Sequence, residues 1–142
     1  MAKNMVHPFS RTEVWPVPNG TLSGAAVVSS SAAGRQPGVA LVSEGGATRT
    51  DTVGPYTVTG PAGGVGLPDN YATVAVDGAF RFDVTGATSS TAVNTPVYAV
   101  LSSDTVASLT TTAESNPPFG KVLRFVGENS NTECVVEIGA EV

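Results

Sequence analysis

The residues able to do chemistry are few and far apart. His7 is the only histidine and Cys134 the only cysteine. A Ser-His-Asp arrangement needs a histidine held in fixed geometry, and His7 lies in a proline-studded stretch beside Pro8. One histidine and one distant cysteine supply at most two soft ligands, so no zinc site is expected. Asp51, Asp69, Asp77, Asp83 and Asp104 stand singly, without the Asp-x-Asp-x-Asp-Gly spacing of a calcium loop. Gly63-Gly64-Val65-Gly66 lacks both the Gly-Lys-Ser/Thr ending and the Gly-x-Gly-x-x-Gly spacing of a phosphate loop, and no helical pattern follows it. A carboxylate pair for glycoside hydrolysis can be picked from the 12 acidic residues, but only Trp15, Tyr56, Tyr71 and Tyr98 could stack on a sugar. Cys134, between Glu133 and Val135 in an alternating run, reads as a small buried hydrophobe rather than a nucleophile. The expectation is a protein with no catalytic residue, no cofactor and no metal.

Composition points the same way. At 142 residues the chain reads as one domain, with only 13% charged residues and abundant Gly and Pro. Low charge with many Ser, Thr, Ala and Gly suits either a disordered linker or a tightly turned β domain. The regularly spaced Val, Leu, Ile, Phe and Tyr decide for the folded class. A net charge of −5 with scattered basic residues argues against a nucleic-acid partner, which needs clustered Lys and Arg. No run approaches a membrane span. No apolar segment of the secretory kind follows Met1-Ala2-Lys3-Asn4, so synthesis and folding in the cytoplasm are expected, and the glycosylation pattern Asn19-Gly20-Thr21 is idle.

The elements around these residues are short strands. Gly24–Val28, Pro37–Val42 and Thr73–Asp77 recur in kind as Pro96–Val100, Phe119–Leu123 and Cys134–Ile138, with a Gly opening each middle strand. Apolar residues at every second position mark strands buried on one face. Further strands are expected at Arg11–Trp15, Tyr56–Thr59, Phe80–Val84, Val106–Thr111 and Lys121–Val126, about ten in all, and Ala87–Val93 allows one helical turn at most. The fold class expected is all-β, a small closed barrel or two-sheet domain made of two similar halves. Val74, Val76, Phe80, Phe82, Val97, Leu123, Val136 and Ile138 are expected to point into one core.

Residues 1–20 differ in character and are read as an extended N-terminal arm on a single β domain spanning 21–142. Pro8, Pro16 and Pro18 space large apolar groups and favour extended geometry. Trp15 either covers the chain's own core or anchors the arm on a partner. The residues between Gly45 and Tyr71 form the least regular stretch, rich in breakers.

The order of several segments carries a resemblance. Met1-Ala2-Lys3-Asn4, the small-residue strand after Ser23-Gly24, Pro37-Gly38-Val39-Ala40-Leu41 and Val74-Ala75-Val76-Asp77-Gly78-Ala79-Phe80 come first. Thr95-Pro96-Val97-Tyr98, Gly120-Lys121-Val122-Leu123 and an alternating strand ending near Gly139 complete the series. Together they resemble the bacteriophage capsid cement, or head decoration, family, similar in role to the lambda-like decoration protein. The resemblance implies a structural virion protein on the outer capsid surface, bound to the major capsid protein as a homotrimer. On that reading His7, Phe9, Arg11, Val14 and Trp15 are the candidate capsid-binding residues, with Arg11–Trp15 pairing with an edge strand of a neighbouring subunit. The alternative is another β-rich phage module, a tail, fibre or carbohydrate-binding domain.

Overall fold

A computed structural model describes residues 4–7, 11–29, 36–45, 48–61 and 68–139. The fold is all-β: a closed five-strand barrel with a second, four-stranded sheet packed against it, and no helix among the described residues. The strands in chain order are β1 (Met5–His7), β2 (Thr12–Pro16), β3 (Ala26–Val28), β4 (Pro37–Ala40), β5 (Thr48–Val53) and β6 (Tyr56–Pro61). They continue as β7 (Tyr71–Ala75), β8 (Gly78–Thr85), β9 (Pro96–Ser102), β10 (Thr105–Thr110), β11 (Pro118–Phe125) and β12 (Glu133–Ile138).

The barrel runs β8-β10-β9-β11-β12 and closes because β12 pairs with β8. On its other edge β8 is shared. Its first half pairs with β1, its last residues with β10. The second sheet runs β2-β7-β4-β3, and β5–β6 form a hairpin that pairs with nothing else described.

The repeated grammar of the sequence is real in three dimensions, and larger than the strand triplet shows. The order β2-β7-β4-β3 is matched in the barrel by β8-β12-β11-β9. Registers agree position by position. Ala40 faces Val74 as Val122 faces Val136, and Val27 faces Gly38 as Val97 faces Gly120. Trp15 faces Ala72 as Phe82 faces Cys134. The Val17 N–H donates to the Asn70 carbonyl as the Val84 N–H donates to Thr132.

The two glycines explain why the motif needs them. A Cβ on Gly38 would lie 2.3 Å from Val74 Cγ1, and one on Gly120 would lie 3.0 Å from Val136 Cγ1 and 2.3 Å from the Glu137 carbonyl oxygen. The equivalent valine closes over the equivalent glycine in both halves, so only a residue without a side chain lets the neighbouring strand pack this tightly.

Burial completes the correspondence and corrects the single core expected from the sequence. One cluster contains Trp15, Val17, Val27, Ala40, Ala72, Val74 and Val76. Their equivalents Val84, Val97, Val122, Cys134, Val136 and Ile138 belong to the other cluster, and Phe82, the equivalent of Trp15, is partly buried against it. Val74 and Val76 therefore lie apart from Phe80, Val97, Val136 and Ile138. Their strand β7 turns that face away from the barrel while Ala75 turns towards it. Leu123 is only half-buried, because the β11–β12 register shifts between Val122 and Arg124 and the extra residue loses its inward position.

Candidate interaction surface

The N-terminal segment is extended, and its two strands lie on the chain's own body. β1 pairs with β8, held there by the Asn4 amide, which donates to the Arg81 carbonyl at 3.0 Å and the Gly24 carbonyl at 3.2 Å. β2 pairs with β7 through five residues, Thr12 opposite Ala75 to Pro16 opposite Tyr71. Alternation in β2 decides which side chains are available. Trp15 is buried, lying over Gly38 with its indole N–H donating to Glu13 Oε2 at 2.7 Å. Of the two uses open to Trp15, the structure shows the lid on its own core. Val14 points the other way and is 54% exposed, and Arg11 is exposed at the start of the strand. Phe9 lies outside the described residues, as does the side chain of His7. Of the five candidates, the structure thus brings Arg11 and Val14 together on one accessible strand and withdraws Trp15 from contact.

The ladder phase of β2 shows what that strand offers. The Val17 and Val76 N–H groups donate to Asn70 and Arg11, so the pairs that include Glu13 and Trp15 are the hydrogen-bonded ones. Thr12 and Val14 then turn their N–H and C=O groups outward, where no described strand meets them. Pro16 occupies the next outward position, where its missing N–H costs the ladder nothing. The opposite edge of the sheet, β3, likewise pairs with no further described strand, although β10 lies close to it. Ser29 donates to Gln36 across the β3–β4 connection, so Ala26 and Val28 face outward, and Pro37 sits opposite Val28 where no donor is needed. A groove of about 320 Å³ beside β3 is lined by Leu22, Ala26, Val28, Thr105 and Val106 among others.

The hairpin β5–β6 is the third accessible feature. Gly54 at φ 58°, followed by Pro55, turns the chain between Val53 and Tyr56. Tyr56, Thr57, Val58 and Thr59 are all exposed, so both faces of β6 are uncovered. Thr50 and Thr59 share a hydroxyl hydrogen bond of 2.9 Å across one face.

Several titratable groups are held by hydrogen bonds and burial within the fold. Glu44, fully buried, accepts the Asn70 N–H at 2.7 Å and the Gly20 N–H at 3.4 Å, tying the turns at the end of β2 and the start of β7. Nothing in Ser43-Glu44-Gly45 announces this in the sequence. Glu133 is nearly buried, and hydrogen bonds from the Asn129 side chain and backbone hold its carboxyl below the usual range against the opposing effect of burial. Burial first, then the Glu133 and Asp83 charges, pushes the Cys134 thiol up, which keeps it protonated at neutral pH. No group of three metal-ligating side chains comes together among the described residues. Tyr71 is partly exposed beside Asn70, whose N–H is already taken by Glu44.

Comparison with family models, with curated proteins and with solved structures finds no match to this chain.

Proposed function

We propose that this chain is a structural module that binds the outer surface of a bacteriophage capsid and stabilises the shell. The observation that carries the reading is the combination of open strand edges at β2 and β3 with a hairpin exposed on both faces, in a rigid barrel scaffold. Such features associate by backbone pairing, which needs shape and register but no reactive group. The order of segments that resembles the cement family supplies the identity of the target, the major capsid protein, and the homotrimer centred on threefold positions.

The capsid-contacting residues on this reading are Phe9 and Arg11, with His7, at the start of the chain. Trp15 is excluded by its burial. Undecorated heads assembled from the cognate major capsid protein provide the test. The wild-type chain is expected to cosediment with such heads and to form protrusions visible by electron microscopy. The double variant Phe9→Ala, Arg11→Ala should bind at least about tenfold more weakly with an unchanged melting temperature. Wild-type chain that leaves heads bare overturns the function. Full-strength binding by the double variant moves the footprint elsewhere on the surface.

A further inference from the structure

The internal repeat shows what is missing from the first half. In the barrel, the edge of β8 is filled. The Arg81 N–H donates to the carbonyl of Asn4, just before β1, at 2.8 Å, and β10 pairs alongside Val84 and Thr85. The equivalent edge in the other sheet belongs to β2, where Val14 stands in the place of Arg81 and its N–H meets no described strand. No described strand intervenes between β3 and β4 as β10 does between β9 and β11. Among the described residues, the first half is a barrel sheet without its closing strand.

The same half carries a strand pair with no sheet to join. The hairpin is inserted between β4 and β7, where the second half connects β11 to β12 by a turn alone. A two-stranded ribbon exposed on both faces is marginal by itself. We propose that β6 of one copy adds to the open β2 edge of a second copy, supplying the strand that β1 and β10 supply in the barrel.

The exposed apolar Tyr56 and Val58 favour β6, and ladder parity fixes which of its residues meet the edge. A two-residue turn makes Val53–Tyr56 a hydrogen-bonded pair, so Thr57 and Thr59 turn their N–H and C=O groups to the outer edge of the hairpin. In an antiparallel ladder these outward groups must meet Thr12 and Val14. Side chains directly opposite share a face, so Thr57 and Thr59 line up with the exposed Thr12 and Val14. Tyr56 and Val58 then fall on the face of Trp15. They are 71% and 54% exposed in the single chain and would be covered beside the Trp15 cluster. The contact is head-to-tail, with hairpin and edge on different parts of the molecule, and such contacts close into rings when the rotation allows. It uses the β2 edge and the hairpin that the capsid reading invokes, here as a contact between copies of the chain.

Edge prolines test this, because outward N–H groups make no bond within their own sheets. Sedimentation equilibrium of the purified chain up to about 1 mM should show concentration-dependent association. Val14→Pro and Thr57→Pro should each weaken it by about tenfold or more, with unchanged circular dichroism. Mixed together, the two variants should recover one contact and stop at a 1:1 pair, since one keeps a working hairpin and the other a working edge. If either proline disturbs the fold, Val14→Lys and Thr57→Lys block the same edges by charge and should give the same pairing. A wild-type chain that stays monomeric throughout, or association untouched by both substitutions, overturns the proposal. So does a monomer whose binding to heads is abolished by Val14→Pro, which would make the shell the strand donor.

Discussion

The two halves of this molecule share a strand lattice and differ in which face they commit to burial. In the barrel half, the face bearing Phe82, Val97, Val122, Val136 and Ile138 turns inward, and the opposite face carries Lys121 and Glu137, 4.0 Å apart and part-exposed. In the sheet half, the equivalent inward residues form their own cluster under Trp15. The opposite face carries Val39 and Ala75 at the positions of Lys121 and Glu137, both fully buried against the barrel. At these paired positions the lattice has a part-exposed outer face in the barrel, although Val135 on that same face is buried, and two dry faces in the sheet half. The residue types at these equivalent positions follow the use of the face, apolar where it docks and charged where water reaches it, because burial of apolar area drives the packing while register stays with the backbone.

The largest expected effect comes from giving the sheet half the residue of the barrel half. Val39→Lys places an unpaired ammonium at a fully buried position and should destabilise by about 4 kcal/mol or more, measured by denaturant unfolding. A loss below about 1 kcal/mol would mean that the two faces are not distinguished as described.

The repeated glycines should separate the halves next. A methyl on Gly120 meets the Glu137 backbone carbonyl, which cannot rotate away, whereas on Gly38 it meets the Val74 and Trp15 side chains. Gly120→Ala should cost about 2–3 kcal/mol and Gly38→Ala about 1–2 kcal/mol, since side chains shift more easily than a paired strand. Equal losses, or the reverse order, would mean that the sheet half is packed as rigidly as the barrel.

Acid tests the loop that the barrel half uses in place of the hairpin. Glu133 has a folded-state pKa below its unfolded value, so its contribution is present above the unfolded pKa and is lost as pH falls through the folded pKa. Glu133→Gln should therefore cost stability at neutral pH and flatten the acid limb of the unfolding profile. An unchanged acid limb would mean that the Asn129 contacts do not favour the carboxylate.

How much of this was legible depends on whether a residue's role is local. The period-two runs gave β3, β4, β7, β9, β11 and β12 to within a few residues, and the two glycines marked the repeat. β2 was visible as a strand but not as the partner of β7, because Pro8, Pro16 and Pro18 suggested an independent arm. Pro16 in fact sits on an outward ladder position where it disturbs nothing. β1 and β5 carry no signal strong enough to read. Met5–His7 is three residues long, and Thr48–Val53 alternates threonine with charge and valine rather than apolar with polar. The separation into two clusters was not readable either. Alternation says that Val74 and Ala75 face opposite ways, but only the sheet packing says that both ways are buried. The open edge of β2 is likewise a property of topology, invisible until β8 supplies the comparison.

The smallest effect is expected from the reverse exchange, giving the barrel half the residues of the sheet half. Lys121 and Glu137 stand opposite each other on β11 and β12 with their charged groups 4.0 Å apart, at the limit of an ion pair and reachable by water. Such pairs contribute about 0–1 kcal/mol, because solvent screens the attraction and ordering two long side chains offsets it. Replacing them together, Lys121→Val with Glu137→Ala, copies Val39 and Ala75 onto the same lattice positions. Valine suits a strand better than lysine, which offsets part of the lost pair. The double variant should unfold within about 1 kcal/mol of wild type, and raising the salt concentration should shrink the difference between them. A loss above about 2 kcal/mol would show that the outer face of the barrel needs its charges for more than solubility, and the two halves would then differ in design rather than only in which face they bury.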